Sequence, residues 1–160
     1  MTPAEVTRLL PAACSSLPDR ERSMAIRILI ADDHPVVRRG LRALLANHPQ
    51  WEIVAEAEDG IDAVEKVVRL RPDVVLLDIS MPRMDGLEAC RRIRKLAPAC
   101  EVLIVTQHDT QQMSSEALKA GARGYVVKSN TVRDLLPAVE AVSQHKSFSA
   151  PHTGLSGDPA

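Results

Sequence analysis

The chain has 160 residues, which is enough for one domain with a full core and too few for two comfortable ones. A hydrophobic content of 45% is ordinary for a globular protein. An aromatic content of 2% and a net charge of −1 argue against a nucleic-acid-binding protein, which usually has a basic excess or aromatic side chains for base stacking. No stretch has the run of about 18 apolar residues that a membrane span needs, and no secretory leader begins the sequence, so we expect a cytoplasmic protein with reduced cysteines.

Composition divides the chain into three segments. Residues 1–24 contain Pro3, Pro11 and Pro18 and a charged run, which predicts a flexible N-terminal extension. Residues 25–146 alternate between strand-like and helix-like patterns, which predicts one folded domain. Residues 147–160 are rich in proline, glycine and serine, so we expect a flexible C-terminal tail.

Five strands are predicted in the central segment, and a helix follows each. The strands are residues 26–31, 51–57, 74–77, 102–105 and 124–127. The helices are residues 35–47, 61–70, 87–96, 111–120 and 132–144. Pro35 suits a first helical position, Gly121 suits a left-handed cap, and Pro137 predicts a last helix that is bent or begins late.

Strict alternation of strands and helices predicts a parallel sheet with helices on both faces, joined by right-handed crossovers. The run at 51–57 alternates apolar and polar residues, which is typical of an edge strand. The runs at 26–31, 74–77 and 102–105 are continuously apolar and belong in the centre. The predicted fold class is therefore α/β: a flavodoxin-like, doubly wound, five-stranded parallel sheet in the order 2-1-3-4-5.

Polar side chains follow four of these strands at the point where each strand ends. They are Asp32 and Asp33 after the first, Asp78 after the third, Thr106 at the fourth and Lys128 after the fifth. Each has an ordinary explanation alone, as a helix cap, a turn residue or a solvated charge. Because the carboxyl ends of parallel strands share one edge of the sheet, their joint placement predicts a functional site.

Three carboxylates that lie close together in a cleft repel one another and require a compensating cation. Hard oxygen ligands favour Mg²⁺, and Mn²⁺ is a plausible substitute. Such a site suits phosphoryl transfer, in which positioning and charge neutralisation dominate. We predict that Asp78 is the nucleophile, that Lys128 neutralises phosphoryl oxygens and that the Thr106 hydroxyl donates a hydrogen bond to one of them.

Four motifs resemble those of a known family. They are Ile30-Ala31-Asp32-Asp33-His34, Leu77-Asp78-Ile79-Ser80-Met81-Pro82-Arg83-Met84-Asp85-Gly86, Val105-Thr106 and Ala120-Gly121-Ala122-Arg123-Gly124-Tyr125-Val126-Val127-Lys128. Together, over about residues 26–142, they resemble the receiver domain of two-component response regulators.

The resemblance implies that Asp78 accepts a phosphoryl group from a sensor histidine kinase or a phosphotransfer protein. It implies that Asp33 ligates Mg²⁺ directly, that Asp32 supports the ion through water and that the Ser80 backbone carbonyl completes the protein ligands. Such a protein is not an enzyme beyond its own Mg²⁺-dependent phosphorylation and slow dephosphorylation.

The resemblance also implies a switch. Thr106 moves toward the new phosphate and Tyr125 turns inward, which re-forms the surface of the fourth helix, fifth strand and fifth helix. That surface then binds a downstream protein or a second copy of the chain.

Two departures from the family qualify this expectation. The phrases at 34–41 and 124–129 resemble a subfamily that usually carries a C-terminal helix-turn-helix, but only about 18 residues follow Val142. We therefore expect no direct nucleic-acid binding from this chain, which is a stand-alone receiver or a piece of a longer protein. Gln107 stands where many receivers have a small residue, and we expect it to narrow access to the acceptor.

Three alternatives compete with the receiver interpretation. A metal-dependent phosphohydrolase of the aspartyl-phosphate type needs a second carboxylate two residues after the nucleophile, where this chain has Ser80. A receiver-like module that binds partners without phosphorylation is the structural alternative, and the presence of all five site residues counts against it. A flavodoxin-type cofactor protein needs a Gly-rich phosphate loop after the first strand, where this chain has Asp32 and Asp33.

Overall fold

The computed structural model describes residues 25–149, and the predicted extension 1–24 lies outside that range. The described part contains six strands, five α-helices and one short 3₁₀ turn. In chain order these are β1 (Ile26–Ala31), α1 (Pro35–Leu45), β2 (Trp51–Ala57), α2 (Gly60–Leu70), β3 (Val74–Leu77), α3 (Gly86–Leu96), β4 (Glu101–Thr106), α4 (Gln111–Lys119), β5 (Gly124–Val127), the 3₁₀ turn (Lys128–Asn130), α5 (Thr131–Ser143) and β6 (Phe148–Ser149).

The strands form one parallel sheet in the order β2-β1-β3-β4-β5-β6. The predicted flavodoxin-like class and the order 2-1-3-4-5 are confirmed, and β2 lies at the sheet edge, as its alternating pattern indicates. The sixth strand was not predicted. Phe148 and Ser149 pair with Gly124 and Tyr125, so ordered structure continues into the segment assigned to the tail, whose remainder from residue 150 is not described.

Helices cover both faces of the sheet and enclose two apolar clusters. On one face α1 and α5 bury Leu41, Leu45 and Leu135 against β1, β3, β4 and β5. On the other face α2, α3 and α4 pack against the same strands, and Cys90 is fully buried there, which agrees with its place on the apolar stripe of α3. Each fully buried Leu or Ile side chain contributes about 1.5–3 kcal/mol. The two clusters therefore hold the strand ends in fixed positions.

Local sequence signals fix where several helices begin and end. Pro35 is the first residue of α1, and Asp85 caps α3 by accepting a hydrogen bond from the Glu88 amide at 2.9 Å. Gly121 has a φ of +108°, which confirms the left-handed conformation predicted after α4. The prediction of a late start for the last helix is wrong. Helix α5 begins at Thr131, so Pro137 lies in its interior, where packing of the apolar face outweighs the missing backbone donor.

No helix among residues 25–149 is long and apolar enough to cross a membrane. This finding applies to the described part of the chain.

A buried carboxylate anchors the edge of the sheet opposite the polar strand ends. Glu101 begins β4, is 2% exposed and accepts two hydrogen bonds from the Arg123 guanidinium, at 3.2 and 3.1 Å. The His145 ring contacts the same carboxylate, and Arg94 Nη1 lies 3.4 Å from its Oε1. Burial alone raises the pKa of Glu101, but these hydrogen bonds and positive charges outweigh burial and lower it.

Replacing Glu101 with glutamine is expected to lower the free energy of unfolding at pH 7 by about 2 kcal/mol, because partly buried cations lose their counter-charge. The folded-state pKa of Glu101 lies below the unfolded value of 4.5. The stabilisation is therefore complete above that value and is lost as the pH falls through the folded-state pKa. Urea unfolding of both proteins across the acid range measures the effect. A difference between them that does not narrow with acidification would contradict the charge-based explanation.

Candidate functional site

The sheet brings the predicted polar residues to a single edge. Ala31 pairs with Leu77 at the ends of β1 and β3, and the Asp78 amide donates to the Ala31 carbonyl at 3.0 Å. Thr106 ends β4 opposite Val127, so Lys128 emerges next to it. The carboxyl edge of the sheet therefore carries every residue singled out for phosphoryl chemistry.

Three carboxylates and a histidine form a compact cluster at this edge. One ligand atom from each of Asp32, Asp33, His34 and Asp78 lies within 4.8 Å of the others. Asp32 is almost fully buried and Asp78 is only 3% exposed, whereas Asp33 is half-buried. Burial and the neighbouring Asp32 charge both raise the pKa of Asp78, against the opposing attraction of the nearby lysine.

Lys128 supplies the positive charge inside this cluster. Its ammonium nitrogen lies 2.7 Å from Asp32 Oδ2 and 3.3 Å from Asp78 Oδ2. Burial would lower the pKa of Lys128, but the hydrogen bonds and charges of the two aspartates outweigh burial and raise it. The lysine therefore remains a cation that bridges both carboxylates.

The cluster retains oxygen atoms that suit a divalent cation. Asp32 Oδ2 and Asp33 Oδ1 are both shielded from solvent. Lys128 Nζ lies 2.7 Å from the first oxygen, and the His34 ring nitrogen Nδ1 lies 3.0 Å from the second. Three carboxylates against one lysine leave a net negative, oxygen-rich pocket, which is the chemistry that Mg²⁺ prefers.

Thr106 and Tyr125, the two predicted switch residues, both contact the loop after β4. Thr106 is fully buried, and its hydroxyl oxygen accepts a hydrogen bond from the His108 amide at 3.3 Å. The Tyr125 ring is buried, and its hydroxyl donates to the His108 carbonyl at 2.6 Å. Burial, with a smaller effect from the Asp109 charge, raises the pKa of Tyr125 to about 12. The tyrosine already faces inward in this structure and is hydrogen-bonded to the loop that follows the threonine, so its inward turn as a response to phosphorylation stays a prediction.

Ser80 and Gln107 are exposed residues of the loops that follow Asp78 and Thr106. Ser80 lies two residues after Asp78 and is exposed, with its hydroxyl oxygen 3.5 Å from His108 Nε2. Gln107 is also exposed, directly after Thr106. The mouth of the site is therefore formed by one residue from the β3 loop and two from the β4 loop.

Two residues at this edge had no predicted role. His34 is 64% exposed, and its Nδ1 lies 3.3 Å from Asp32 Oδ1. Arg38 donates to the Asp32 backbone carbonyl at 2.6 Å and to Glu56 at 2.9 Å. The available signal was spacing, because Arg38 follows His34 by one helical turn and so returns to the same edge.

Gly86 holds the loop after Asp78 against α3 through backbone contacts. The Gly86 amide donates to the Ile79 carbonyl at 2.7 Å. A Cβ atom at this position would lie 2.0 Å from the Asp78 carbonyl oxygen. The backbone of Asp78 therefore packs directly against the first turn of α3.

The fold and this site together define an α/β protein with a lysine-bridged aspartate pocket at the carboxyl edge of its sheet. The profile of the response regulator receiver domain matches residues 28–140. The transcriptional regulatory protein DegU of Brevibacillus brevis is 40% identical over 79% of this chain and 53% of its own length. The oxygen regulatory protein NreC of Staphylococcus epidermidis is 40% identical over 77% of this chain and 57% of its own length.

Solved structures give the same result. A LuxR-family two-component response regulator from Aurantimonas sp. SI85-9A1 has a TM-score of 0.76 and 38% identity, covering 79% of this chain and 91% of that one. The receiver domain of the putative regulator NarL from Mycobacterium tuberculosis has a TM-score of 0.72 and 33% identity, and the match covers 76% of this chain and 98% of that domain. The chain belongs to the response regulator receiver domain family of two-component systems. It spans about half the length of the curated relatives it matches.

Proposed function

We propose that Asp78 is the phosphoacceptor of a two-component signalling pathway. The observation that carries this proposal is the buried Asp78 carboxylate, with Lys128 Nζ 3.3 Å away and two further aspartates in the same cluster. A carboxylate oxygen of Asp78 attacks phosphorus, the bond from phosphorus to the donor histidine nitrogen breaks, and that nitrogen keeps the electron pair. The product is an acyl phosphate on Asp78.

Mg²⁺, or Mn²⁺ in its place, would neutralise charge on the incoming phosphoryl group. Asp33 and Asp78 are the residues to hold the ion directly, with Asp32 acting through water and the Ser80 backbone carbonyl as a further ligand. The two shielded carboxylate oxygens of Asp32 and Asp33 support this assignment.

Lys128 and Thr106 would contact the oxygens of the new phosphoryl group. The Lys128 ammonium already bridges Asp32 and Asp78, so it is positioned to pair with a phosphoryl oxygen. Within residues 25–149, the Thr106 hydroxyl oxygen accepts a hydrogen bond from the His108 amide at 3.3 Å, and acting as an acceptor leaves its proton available for a phosphoryl oxygen. Movement of Thr106 would pull on the loop that Tyr125 holds through the His108 carbonyl. The surface of α4, β5 and α5 would change as a result.

The partners follow from this chemistry. A sensor histidine kinase or a phosphotransfer protein donates the phosphoryl group, and a downstream protein or a second copy of the chain reads the altered surface. The protein acts in the cytoplasm and is not an enzyme in the ordinary sense, since it turns over only its own acyl phosphate. One similar structure is described as a DNA-binding response regulator, but residues 25–149 contain no unit beyond the receiver, so we assign no nucleic-acid binding to this part.

The test is intact-mass analysis of the protein after incubation with acetyl phosphate, with and without Mg²⁺. A Mg²⁺-dependent gain of one phosphoryl group supports the proposal. If acetyl phosphate fails, a phosphorylated histidine kinase is the second donor, since Gln107 at the mouth can exclude the small one. Failure with both donors would favour the alternative of a receiver-like module that binds partners without phosphorylation.

Replacing Lys128 or Thr106 with alanine is expected to uncouple phosphorylation from the surface change. Moving a population from 1:99 to 99:1 takes about 5.5 kcal/mol of differential interaction. One charged hydrogen bond contributes about 1.5–3 kcal/mol, so each variant loses roughly a tenfold or greater bias toward the switched state. Amide chemical shifts of α4, β5 and α5, recorded before and after phosphorylation, measure the response. The control is Lys146→Ala, at an exposed lysine after α5, which should respond like the wild type. If both site variants also showed the chemical-shift changes of the wild type, the proposed coupling would be refuted.

A further inference from the structure

Helix α3 carries a groove that the chemistry at Asp78 does not use. The groove has a volume of about 610 Å³ and lies between the solvent face of α3 and the end of α4. Its lining residues are Glu88, Arg91, Arg92, Lys95, Leu96 and Ala120. It shares no residue with the carboxylate cluster at the carboxyl edge of the sheet.

The rim of this groove has an excess of positive charge. Arg91 and Arg92 are about half exposed, and both pair with the single carboxylate of Glu88, at 3.1 and 3.0 Å. Lys95 is exposed and lies in the last turn of the helix. Three cations against one carboxylate leave a surplus of two charges. An anionic partner is therefore favoured over a neutral or cationic one.

The floor of the groove is apolar. Leu96 is 53% exposed at the end of α3, and Ala120 closes the other side. Basic residues near a helix C-terminus are explained by the helix dipole, but that explanation does not cover an exposed leucine beneath them. An apolar floor inside a charged rim is the arrangement of a surface that buries one apolar side chain and is steered by charge.

Contacts between α3 and the turn after α4 fix the shape of the groove. The Cys90 thiol donates to the Ala120 carbonyl at 3.4 Å, and the stem of Arg94 lies over Gly121, where a Cβ would come within 2.6 Å of Arg94 Cγ. On the other side, Arg71 Nη1 donates to the Leu96 carbonyl at 3.0 Å. The groove is therefore formed before any partner arrives, which lowers the cost of binding.

We propose that this groove is a docking site for an acidic segment of a partner protein, which places an apolar side chain over Leu96 and its carboxylates against the Arg92 and Lys95 rim. Nucleic acid is the less suitable occupant. The lining offers no aromatic side chain on which a base can stack, and the floor is apolar rather than polar. The interaction is independent of phosphoryl transfer at Asp78.

The test is fluorescence anisotropy of a fluorescein-labelled peptide of repeated Glu-Glu-Leu triplets, titrated with the full 160-residue chain. We expect saturable binding that Lys95→Glu and Arg92→Glu each weaken by about tenfold or more, because like charges then face each other. Leu96→Ser should weaken it comparably. Arg39→Glu, an equal charge reversal at an exposed site on α1, and Val132→Ser, at an exposed valine of α5, should leave binding unchanged.

Two further probes separate the proposed occupant from others. A peptide of Glu-Glu-Ser triplets should bind more weakly than Glu-Glu-Leu, and so should a single-stranded oligonucleotide of the same length. Equal binding of the Glu-Glu-Ser peptide, preference for the oligonucleotide, equal losses in Arg39→Glu, or no saturable binding would each overturn the proposal.

Discussion

Replacing Asp78 with asparagine is expected to abolish the Mg²⁺-dependent gain of a phosphoryl group. Asparagine keeps the size of the side chain but removes the anionic oxygen that attacks phosphorus, and its amide cannot form an acyl phosphate under these conditions. Intact-mass spectra of the wild type and the variant, each treated with the phosphodonor with and without Mg²⁺, measure the result. A phosphoryl group that persists in Asp78→Asn would place the acceptor elsewhere.

The variant also has a matched control and a second readout. Asp85→Asn makes the same chemical change seven residues away, at a helix cap where asparagine serves as well as aspartate, so phosphorylation should continue. Because burial and Asp32 raise the pKa of Asp78, its charged form destabilises the metal-free fold at neutral pH. The penalty develops as the pH rises from the unfolded value of 3.8 through the folded-state pKa. Asp78→Asn should therefore melt higher than the wild type at neutral pH without metal.

Replacing Gly86 with alanine is expected to cost about 3 kcal/mol of unfolding free energy. The new methyl group would meet three backbone atoms, at 2.0 Å from the Asp78 carbonyl oxygen and at 2.8 Å from its carbon and the Ile79 Cα. Backbone atoms cannot rotate away as a side chain can, so either the Asp78 loop or the start of α3 must move. Urea unfolding measures the stability, and the intact-mass assay reports whether the displaced acceptor still reacts.

Gly40 provides the opposite case within the same fold. An added Cβ there meets nothing within 4 Å, and the residue lies inside α1. Gly40→Ala should therefore stabilise the protein by about 0.5–1 kcal/mol through helix propensity alone. Equal effects of the two substitutions would show that contact with Asp78 does not determine the cost at Gly86.

The central features of the fold were predictable because they depend on local pattern. Four consecutive branched residues at Val74–Leu77 have only one place in an α/β sheet, and the structure buries all four. The alternation at Trp51–Ala57 placed β2 at the edge. The two-residue strand β6 had no such signal, because Phe148 and Ser149 are too few to show a period and pair only once β5 is in place.

The membership of the candidate site was predictable for the same reason, but the detailed contacts among its residues were not. Strand ends placed Asp78 and Lys128 at one edge, and topology made them neighbours. Contacts that depend on side-chain direction or loop conformation could not be predicted from the sequence. Spacing places Arg38 one helical turn after His34 but does not show that its side chain reaches the Asp32 carbonyl. The contact of Gly86 with the Asp78 backbone depends on the conformation of the loop between them.

Tyr125 is the single tyrosine of the chain, and its hydroxyl binds the loop that follows Thr106. Growth on 3-fluorotyrosine would therefore introduce one ¹⁹F nucleus, between the proposed phosphoacceptor and the proposed output surface, without any engineered label. The single tryptophan, Trp51, begins β2 at the far edge of the sheet and stacks on His48, so its emission serves as an internal reference. Burial raises the pKa of the phenol at this position and so opposes its ionisation near neutral pH. A change in the fluorine resonance there would therefore report rearrangement of the ring.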